Sequence, residues 1–427
     1  MSTPKSPSRR RFLKAAAAGG AALAVPTIVP GTVFGKEGQA PPSERITLGG
    51  IGIGNRGTYD LSCFLPQPDV QFLAVCDVKE VRRLAVKSMA DKKYGNNDCD
   101  MYRDFRDLLD RQDIDAVLIA TGPNWHCVAA NYAARAGKDM YCEKPCTKNI
   151  MQSVALDETM RRTGRIFQAG TQRRNLPHFA FACELAYSGR LGKLQRVYAH
   201  PAGMSAKMSG WMTPEPEPPK EVIDWDLYLG PAAWRPYNKG MMNAFHFEKG
   251  GGLVGGGVLE WGSHCADLCQ WAAGADKTAP VEYHPPQDGQ IVCRYENGVE
   301  LIFREKGWLP LGSCPVRFEG ENGWVEAGDS GKMVLSSPEL LAGREVAQIG
   351  GYPATFHVRD FLDCVKTRSA PKANAEAACW THIACHAANI ALFLKRQVKL
   401  DLETLTFPGD EEANRLRGEA QRAPWRV

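Results

Sequence analysis

The sequence predicts an α/β fold in two parts: a parallel sheet alternating with helices, then an α+β domain with a largely antiparallel sheet. Three observations carry the prediction. The first is Arg45-Ile-Thr-Leu-Gly-Gly-Ile-Gly-Ile-Gly-Asn-Arg-Gly57, an apolar run of strand character over 46–53 that turns through Gly52-Ile-Gly54-Asn-Arg-Gly57. The second is a regular alternation of β-like and helix-like runs from Ile46 to Gly170, the pattern of βαβ units. The third is a change in the second half, where short β-like runs are separated by Asn297-Gly298 and Asn322-Gly323, pairs suited to tight hairpins.

The residues before this body read as a leader. Ser8-Arg9-Arg10-Arg11-Phe12-Leu13-Lys14 is a twin-arginine pattern, followed by an uncharged Ala/Gly/Val-rich run to Val33. A signal peptide over 1–40 is expected, with export by the twin-arginine route to the periplasm or beyond. Gly19, Gly20, Pro26 and Pro30 interrupt the run, which makes a poor membrane span, and no other apolar run reads as long enough for one. Without the five positive residues Lys5, Arg9, Arg10, Arg11 and Lys14, the formal charge of +4 becomes −1. A near-neutral body gives no electrostatic support to a nucleic-acid partner. The 14 cysteines form no C-x-x-C pair, and many lie in apolar segments, so mostly buried free thiols are expected.

From Ile46 the elements follow in order. Gly52 permits the tight turn off the first strand, Gly54 lets the backbone approach a pyrophosphate, and Gly57 lets the next helix pack closely on the strand. That helix is expected over Thr58–Leu65, and its N-terminus offers N–H groups and a positive dipole end to phosphates. A second strand over Val70–Asp77 ends in an acid about 20 residues beyond the last glycine, placed to accept ribose hydroxyls. This context defines a Rossmann dinucleotide-binding domain over 44–170. Helices are expected over Lys79–Lys93, Phe105–Asp110, His126–Ala136 and Ile150–Thr163; strands over Asp115–Thr121, Asp139–Pro145 and Arg165–Gly170. Ligands gather at the carboxyl ends of such strands. Those ends hold Asp77, Thr121-Gly-Pro123-Asn124-Trp-His126, Glu143-Lys144-Pro145 and Gly170-Thr-Gln172.

The second domain is expected over 171–400. It carries a helix over Phe179–Tyr187, a strand from Leu194 to Ala199, and a proline-rich loop over Trp211–Tyr237. A stretch with six glycines in eight positions, Gly250–Gly257, precedes a helix over Val258–Trp271. Strands are expected over Gln290–Tyr295, Glu300–Glu305, Val316–Glu319 and Gly323–Ala327. Helices over Thr355–Val365 and Ala375–Lys395 come before a polar C-terminal tail, 401–427. Cys379, His382, Cys385 and His386 have helical spacing; they read as a buried helix face, and no dedicated metal site is expected.

With these pieces in place, the chain resembles the Gfo/Idh/MocA oxidoreductases. The resemblance rests on Gly52-Ile-Gly-Asn-Arg-Gly57, Thr121-Gly-Pro-Asn-Trp-His126, Glu143-Lys144-Pro145 and Gly255-Gly-Gly-Val-Leu-Glu-Trp-Gly-Ser-His264-Cys-Ala-Asp267, and covers about Ile46 to Lys395. It implies an open-faced second sheet, a dimer or tetramer, and NAD as cofactor, with NADP the alternative. It also implies that Lys144 hydrogen-bonds a substrate hydroxyl while His264 is the acid/base. Relatives often carry an Asp four residues before the His. Here that position is Glu260, and the i, i+4 spacing would place it beside His264 to orient it.

Cofactor contacts are then expected from Gly52, Gly54, Asn55, Arg56, Gly57, Asp77, Thr121, Pro123, Asn124, His126, Glu143, Lys144 and Gln172. Trp234 and Arg235 would pack over the cofactor. Arg173-Arg174 would meet the cofactor or an anionic substrate, or form a surface pair. The function implied is hydride transfer on a sugar, polyol or sugar derivative; the twin-arginine pattern joined to the dinucleotide site adds the expectation of a tightly bound cofactor. The alternatives are a redox-neutral NAD-dependent glycosidase of the same family and a non-catalytic nucleotide-binding protein.

Overall fold

A computed structural model describes residues 40–208, 210–242, 253–254 and 256–426. The chain divides into two units, Met1–Arg45 and Ile46–Val427. In the first, a short turn over Pro42–Glu44 is described, and Arg45 Nε donates to Ala40 O at 2.7 Å. The twin-arginine pattern and, of the Gly250–Gly257 stretch, Gly250, Gly251, Gly252 and Gly255 lie outside the described residues. Everything below concerns the second unit.

Among its described residues the first sheet has six parallel strands: β1 (Ile46–Ile51), β2 (Val70–Cys76), β3 (Asp100–Tyr102), β4 (Ala116–Ile119), β5 (Asp139–Cys142) and β6 (Phe167–Ala169). Their order is β3-β2-β1-β4-β5-β6, which reverses direction between β1 and β4 and opens a crevice there. The edge strand β3 was not expected, because Asp100-Met-Tyr102 is short, polar and largely exposed. Between the strands run α1 (Asn55–Phe64), α2 (Glu80–Tyr94), α3 (Phe105–Leu109), α4 (Pro123–Arg135) and α5 (Ile150–Thr163). Helices α1 and α4 start three residues earlier than expected. Gly54 and Gly122 serve as their N-caps without side-chain bonds, and Pro123 supplies a fixed φ at the first turn of α4.

The second sheet is mixed and, among the described residues, eight-stranded. It contains β7 (Leu194–Ala199), β10 (Glu282–Tyr283), β11 (Gln290–Arg294), β12 (Glu300–Arg304), β13 (Val316–Gly320), β14 (Gly323–Ala327), β15 (Met333–Leu335) and β16 (Val398–Lys399), while β8 (Lys207–Met208) pairs with β9 (Leu253–Val254) elsewhere. Every pairing in it is antiparallel except β7 with β12. Strands β10, β15 and β16 have two or three residues, too few to show a period of two. Alternate side chains such as Val197, Ile291, Cys293, Leu301, Phe303, Val316, Phe318 and Val325 face one core. Helices α6 (Pro177–Tyr187), α9 (Gly262–Ala272) and α11 (Ala375–Leu394) cover that side.

Three features depart from the expected organisation. The proline-rich loop contains a helix, α7 (Trp225–Leu229), capped by Asp224, whose side chain accepts from Leu227 N. Helix α10 (Thr355–Thr367) leaves the second sheet and packs Val358, Phe361 and Leu362 against Phe64, Phe72 and Tyr141 of the first. The tail also folds back. It forms α12 (Glu411–Arg415), buries Phe407 and Ala413 in the second core, and buries Trp425 in the first. Among the described residues one helix, α11, is long and apolar enough to cross a membrane by length and composition, contrary to the sequence reading. Of its most apolar 18-residue window 78% is buried, packed against α5, α9 and the sheet. All fourteen cysteines are free thiols, and all but Cys63 are buried.

Candidate active site

The crevice between β1 and β4 is a cavity of about 550 Å³. The fingerprint turn forms its floor. Gly52 has φ +69°, and a Cβ there would lie 2.3 Å from Thr121 Cγ2, so only glycine fits. Gly54, Asn55 and Arg56 line the cavity at the N-terminus of α1, and Gly57 packs α1 against Ala120. The first turn of α1 has no side-chain cap, which leaves its N–H groups and dipole for an anion. Asp77 lines the same cavity at the end of β2. Burial raises its pKa, opposed by a hydrogen bond from Lys79 N at 2.9 Å and by the charges of Lys79, Arg82 and Arg83. Arg82 donates to Asn55 Oδ1 at 2.8 Å. A glycine cradle, an uncapped helix N-terminus and an acid at the second strand end fit a nicotinamide dinucleotide.

The strand ends β4 and β5 close the far side. Thr121, Pro123 and His126 line it, but His126 is locked: Nδ1 faces Pro145 O at 2.8 Å and Nε2 faces Thr121 O at 3.0 Å. Burial holds its pKa below the ordinary range, against the pull of those carbonyls. Asn124 does not line the cavity. Its amide donates to Leu229 O at 2.9 Å and Tyr228 O at 3.3 Å, tying α7 to the sheet. Glu143 is buried between Arg56 (3.2 Å) and Lys144 N (3.1 Å), and its carboxylate occupies the space a side chain at Gly170 would need. Arg56 also pairs with Asp60 at 2.8 Å. Gln172, oriented to satisfy its amide, donates to Gly170 O at 2.7 Å and accepts from Arg56 at 3.2 Å; it supports the site without lining it.

Lys144 and Glu260 line the cavity together. Lys144 Nζ donates to Glu260 O at 3.2 Å and Oε2 at 3.4 Å. The expected continuous helix is broken at Trp261 into α8 (Gly256–Glu260) and α9, so Glu260 O is a helix-end carbonyl and Lys144 caps it. Gly262, the first residue of α9, packs closely on α11, where a Cβ would lie 2.9 Å from Cys385 Sγ. Glu260 therefore pairs with Lys144 and makes no bond to His264. His264 is buried at the start of α9 and does not line the cavity; its Nδ1 has no hydrogen-bond partner among the described residues. Burial, then the charges of Arg173, Lys144 and Arg56, push its pKa well below the ordinary histidine value, so the ring is neutral.

Arg173 and Arg174 are buried and held by carboxylates, not a surface pair. Arg173 chelates Asp329 at 2.8 and 2.7 Å; Arg174 pairs with Asp267 and Asp276, each at 2.7 Å. Trp234 is 63% exposed and Arg235 donates to Gly210 O, so neither covers the cavity. That wall is built instead by Leu227 and Tyr228 of α7, with Met242, Phe105 and Trp125. The sequence signal for α7 was Asp224 as a cap and Gly230 as a stop around an apolar run. His382 and His386 serve as hydrogen-bond partners in the core: His382 Nε2 accepts from Cys146 N at 3.1 Å, and His386 meets Thr147 Oγ1 at 3.4 Å.

The fold and cavity define a dinucleotide-binding α/β protein with a second sheet domain set beside the strand ends. Residues 46–171 match the profile described as oxidoreductase family, NAD-binding Rossmann fold, and residues 194–427 the profile described as oxidoreductase family, C-terminal alpha/beta domain. The chain belongs to the Gfo/Idh/MocA oxidoreductase family, and its cofactor is of the NAD type. Residues 6–26 match the twin-arginine translocation signal, an address for export. A glycosyl hydrolase family 109 protein of Saccharopolyspora erythraea is 32% identical over 176 residues, covering 37% of this chain and 38% of its own. An alpha-N-acetylgalactosaminidase of Shewanella oneidensis is 32% identical over 174 residues, 36% and 37% of the two chains. The chain thus spans under two-fifths of the length of these curated relatives. The crystal structure of scyllo-inositol dehydrogenase from Lactobacillus casei with NAD(H) and scyllo-inositol superposes with a TM-score of 0.58 at 17% identity, covering 83% of this chain and 99% of that one.

Proposed function

We propose that this protein is an exported oxidoreductase that acts on a carbinol of a sugar or polyol and retains its cofactor, NAD rather than NADP. The observation that carries this reading is Lys144: it stands at the end of β5, lines the cavity formed by the glycine fingerprint, and is held by Glu260 from the second domain. When bound, the dinucleotide supplies a hydride acceptor and donor. Gly52, Gly54 and the N-terminus of α1 hold its pyrophosphate, and Asp77 accepts from the adenosine ribose and repels a 2′-phosphate. Lys144 donates to the substrate hydroxyl oxygen and stabilises the negative charge that builds there as the proton leaves. The family resemblance assigns that proton to His264, which burial and the surrounding cations keep neutral and which stands outside the cavity lining. Glu260 fixes the ammonium of Lys144.

A redox-neutral cleavage of a glycoside by the same residues is the second reading. It is favoured by the family 109 and alpha-N-acetylgalactosaminidase names of the curated relatives that match. Retention is motivated by export: the twin-arginine route carries folded proteins, and outside the inner membrane no metabolic pool replaces a lost dinucleotide, so the hydride taken from one carbinol must pass to the carbonyl of a second sugar substrate before the next turnover. The test is to purify the exported protein, identify the nucleotide released on denaturation, and screen sugars, polyols and glycosides. Bound NAD and turnover of a sugar or polyol are expected. Failure to bind either dinucleotide, with no turnover of any of them, would overturn the proposal.

A further inference from the structure

We infer that the last described segment, through Arg422 and Trp425, latches the nucleotide end of the cavity and slows escape of the dinucleotide; this rests on the proposed reading of the cavity as the cofactor site. The cavity wall near Asp77 has two halves that come from distant parts of the chain. One half is Phe105 and Trp125 of α3 and α4; the other is Leu227 and Tyr228 of α7. The halves touch directly. Trp125 Nε1 donates to Leu227 O at 2.8 Å, and a Cβ at Gly230, where φ is +53°, would lie 2.2 Å from the Trp125 ring. Helix α7 is short, and its approach to the first domain also uses a bridge between Lys79 and Ile223 and a bond from Asp224 N to Val78 O at 3.1 Å.

The last segment grips both halves at once. On the α7 side, Arg422 Nε donates to Gly230 O at 3.0 Å and Nη2 to Asp226 O at 2.7 Å; its guanidinium also pairs with the Asp226 carboxylate, and Arg422 N donates to Pro231 O at 3.0 Å. These contacts cover the carbonyl end of α7: Gly230 O lies just past its last residue, and Asp226 O takes Arg422 as a second donor beside the capping Gly230 N. Three residues on, Trp425 is 3% exposed and wedged behind the other half. Its ring centroid lies 4.8 Å from that of Trp125 and 5.9 Å from that of Phe105, and the Arg106 guanidinium stacks over it at 4.8 Å. Neither Arg422 nor Trp425 lines the cavity. They are positioning residues: with them docked, the two halves cannot part without breaking the Arg422 bonds or unpacking Trp425.

Docking and binding are then linked reciprocally. A dinucleotide that needs the halves together must in turn hold the segment down. The test measures NAD release from the purified full-length protein by displacement with a fluorescent etheno analogue, in the wild type, Trp425→Ala, Trp425→Phe and Arg422→Gln. Loss of one charged hydrogen-bonding group corresponds to roughly tenfold or more in an equilibrium or rate. Trp425→Ala and Arg422→Gln should release NAD at least about that much faster, with Trp425→Phe close to wild type. In the wild type, NAD should slow amide exchange over residues 419–426. Unchanged release from folded Arg422→Gln, or no change of exchange in the segment on NAD binding, would overturn the latch while leaving the cofactor site intact. A wild type that binds no dinucleotide would overturn the reading of the cavity itself. If Trp425→Ala does not fold, Arg422→Gln and the exchange measurement decide.

Discussion

The two ends of the cavity are held by different means. At the reactive end, Glu143-Lys144-Pro145 is a contiguous motif, and its side chains meet partners such as Arg56 and Glu260 through charge. At the nucleotide end, beyond Asp77, the wall is apolar and assembled from residues 105, 125, 227 and 228, backed by 422 and 425, which no short motif connects. On the proposed reading, the difference separates what serves chemistry from what serves retention. A reacting group must be placed to fractions of an ångström, and charged pairs at a strand end do that. Retention needs area and slow parting of walls, which packing supplies.

The sharpest way to break this comparison is at the reactive end. Lys144→Ala and His264→Ala should each lower turnover by about 10²–10⁴-fold, the usual contribution of an acid–base group, with NAD affinity nearly unchanged. Kinetics on the true substrate and a binding titration check both halves of that statement. Near-wild-type turnover in His264→Ala would remove the role assigned to it.

A stability effect of similar size is expected behind the same end. Arg174 holds Asp267, three residues beyond His264, in a fully buried pair. Arg174→Met leaves that carboxylate unpaired and should cost about 3–5 kcal/mol, read by denaturant unfolding. A loss under about 1 kcal/mol would show that the pair contributes little to the α9 scaffold.

At the nucleotide end the effect should be smaller. Asp77→Ala should weaken NAD by roughly 10–100-fold, the worth of one or two charged hydrogen bonds, and narrow or invert its preference over NADP. Dissociation constants for both dinucleotides test this; NADP bound more tightly than NAD by the wild type would contradict the assignment.

The pH dependence distinguishes the ends further. His264 is held neutral well below the ordinary histidine value, so the acid limb of turnover due to it should lie below about pH 6.5. For stability the sign follows from His357, which burial holds at about 3, and His382, which burial holds at about 4. The unfolded chain takes up protons near pH 6.5 while the folded one does not, so stability should fall as pH drops from about 6.5 toward 4. Thermal unfolding at several pH values measures it.

Legibility in the sequence divides along the same line. The glycine turn, Asp77, the strand ends and most strands and helices could be read, because each depends on local spacing and period. Glu260 was assigned to His264 because i, i+4 spacing assumes an unbroken helix; the break at Trp261 sends it to Lys144 instead. Trp234 was chosen for the cover because it stands in a loop of family character, yet Tyr228, six residues earlier on a helix of five residues, faces the cavity. The tail read as polar because its buried residues, Phe407, Ala413 and Trp425, are widely spaced and find their partners only in three dimensions. Arg173 and Arg174 could not be resolved as buried, since Asp267, Asp276 and Asp329 lie about 90 to 160 residues away.

On the proposed reading, chemistry at Lys144 and His264 runs on a dinucleotide that does not leave. The most direct measurement is to purify the exported form, remove free nucleotide by gel filtration, and follow repeated turnover of the sugar substrate without added cofactor, with a second sugar present as reoxidant. Sustained turnover with one bound NAD per chain is the expected result. Activity strictly dependent on added NAD, with reduced dinucleotide accumulating in solution, would contradict it.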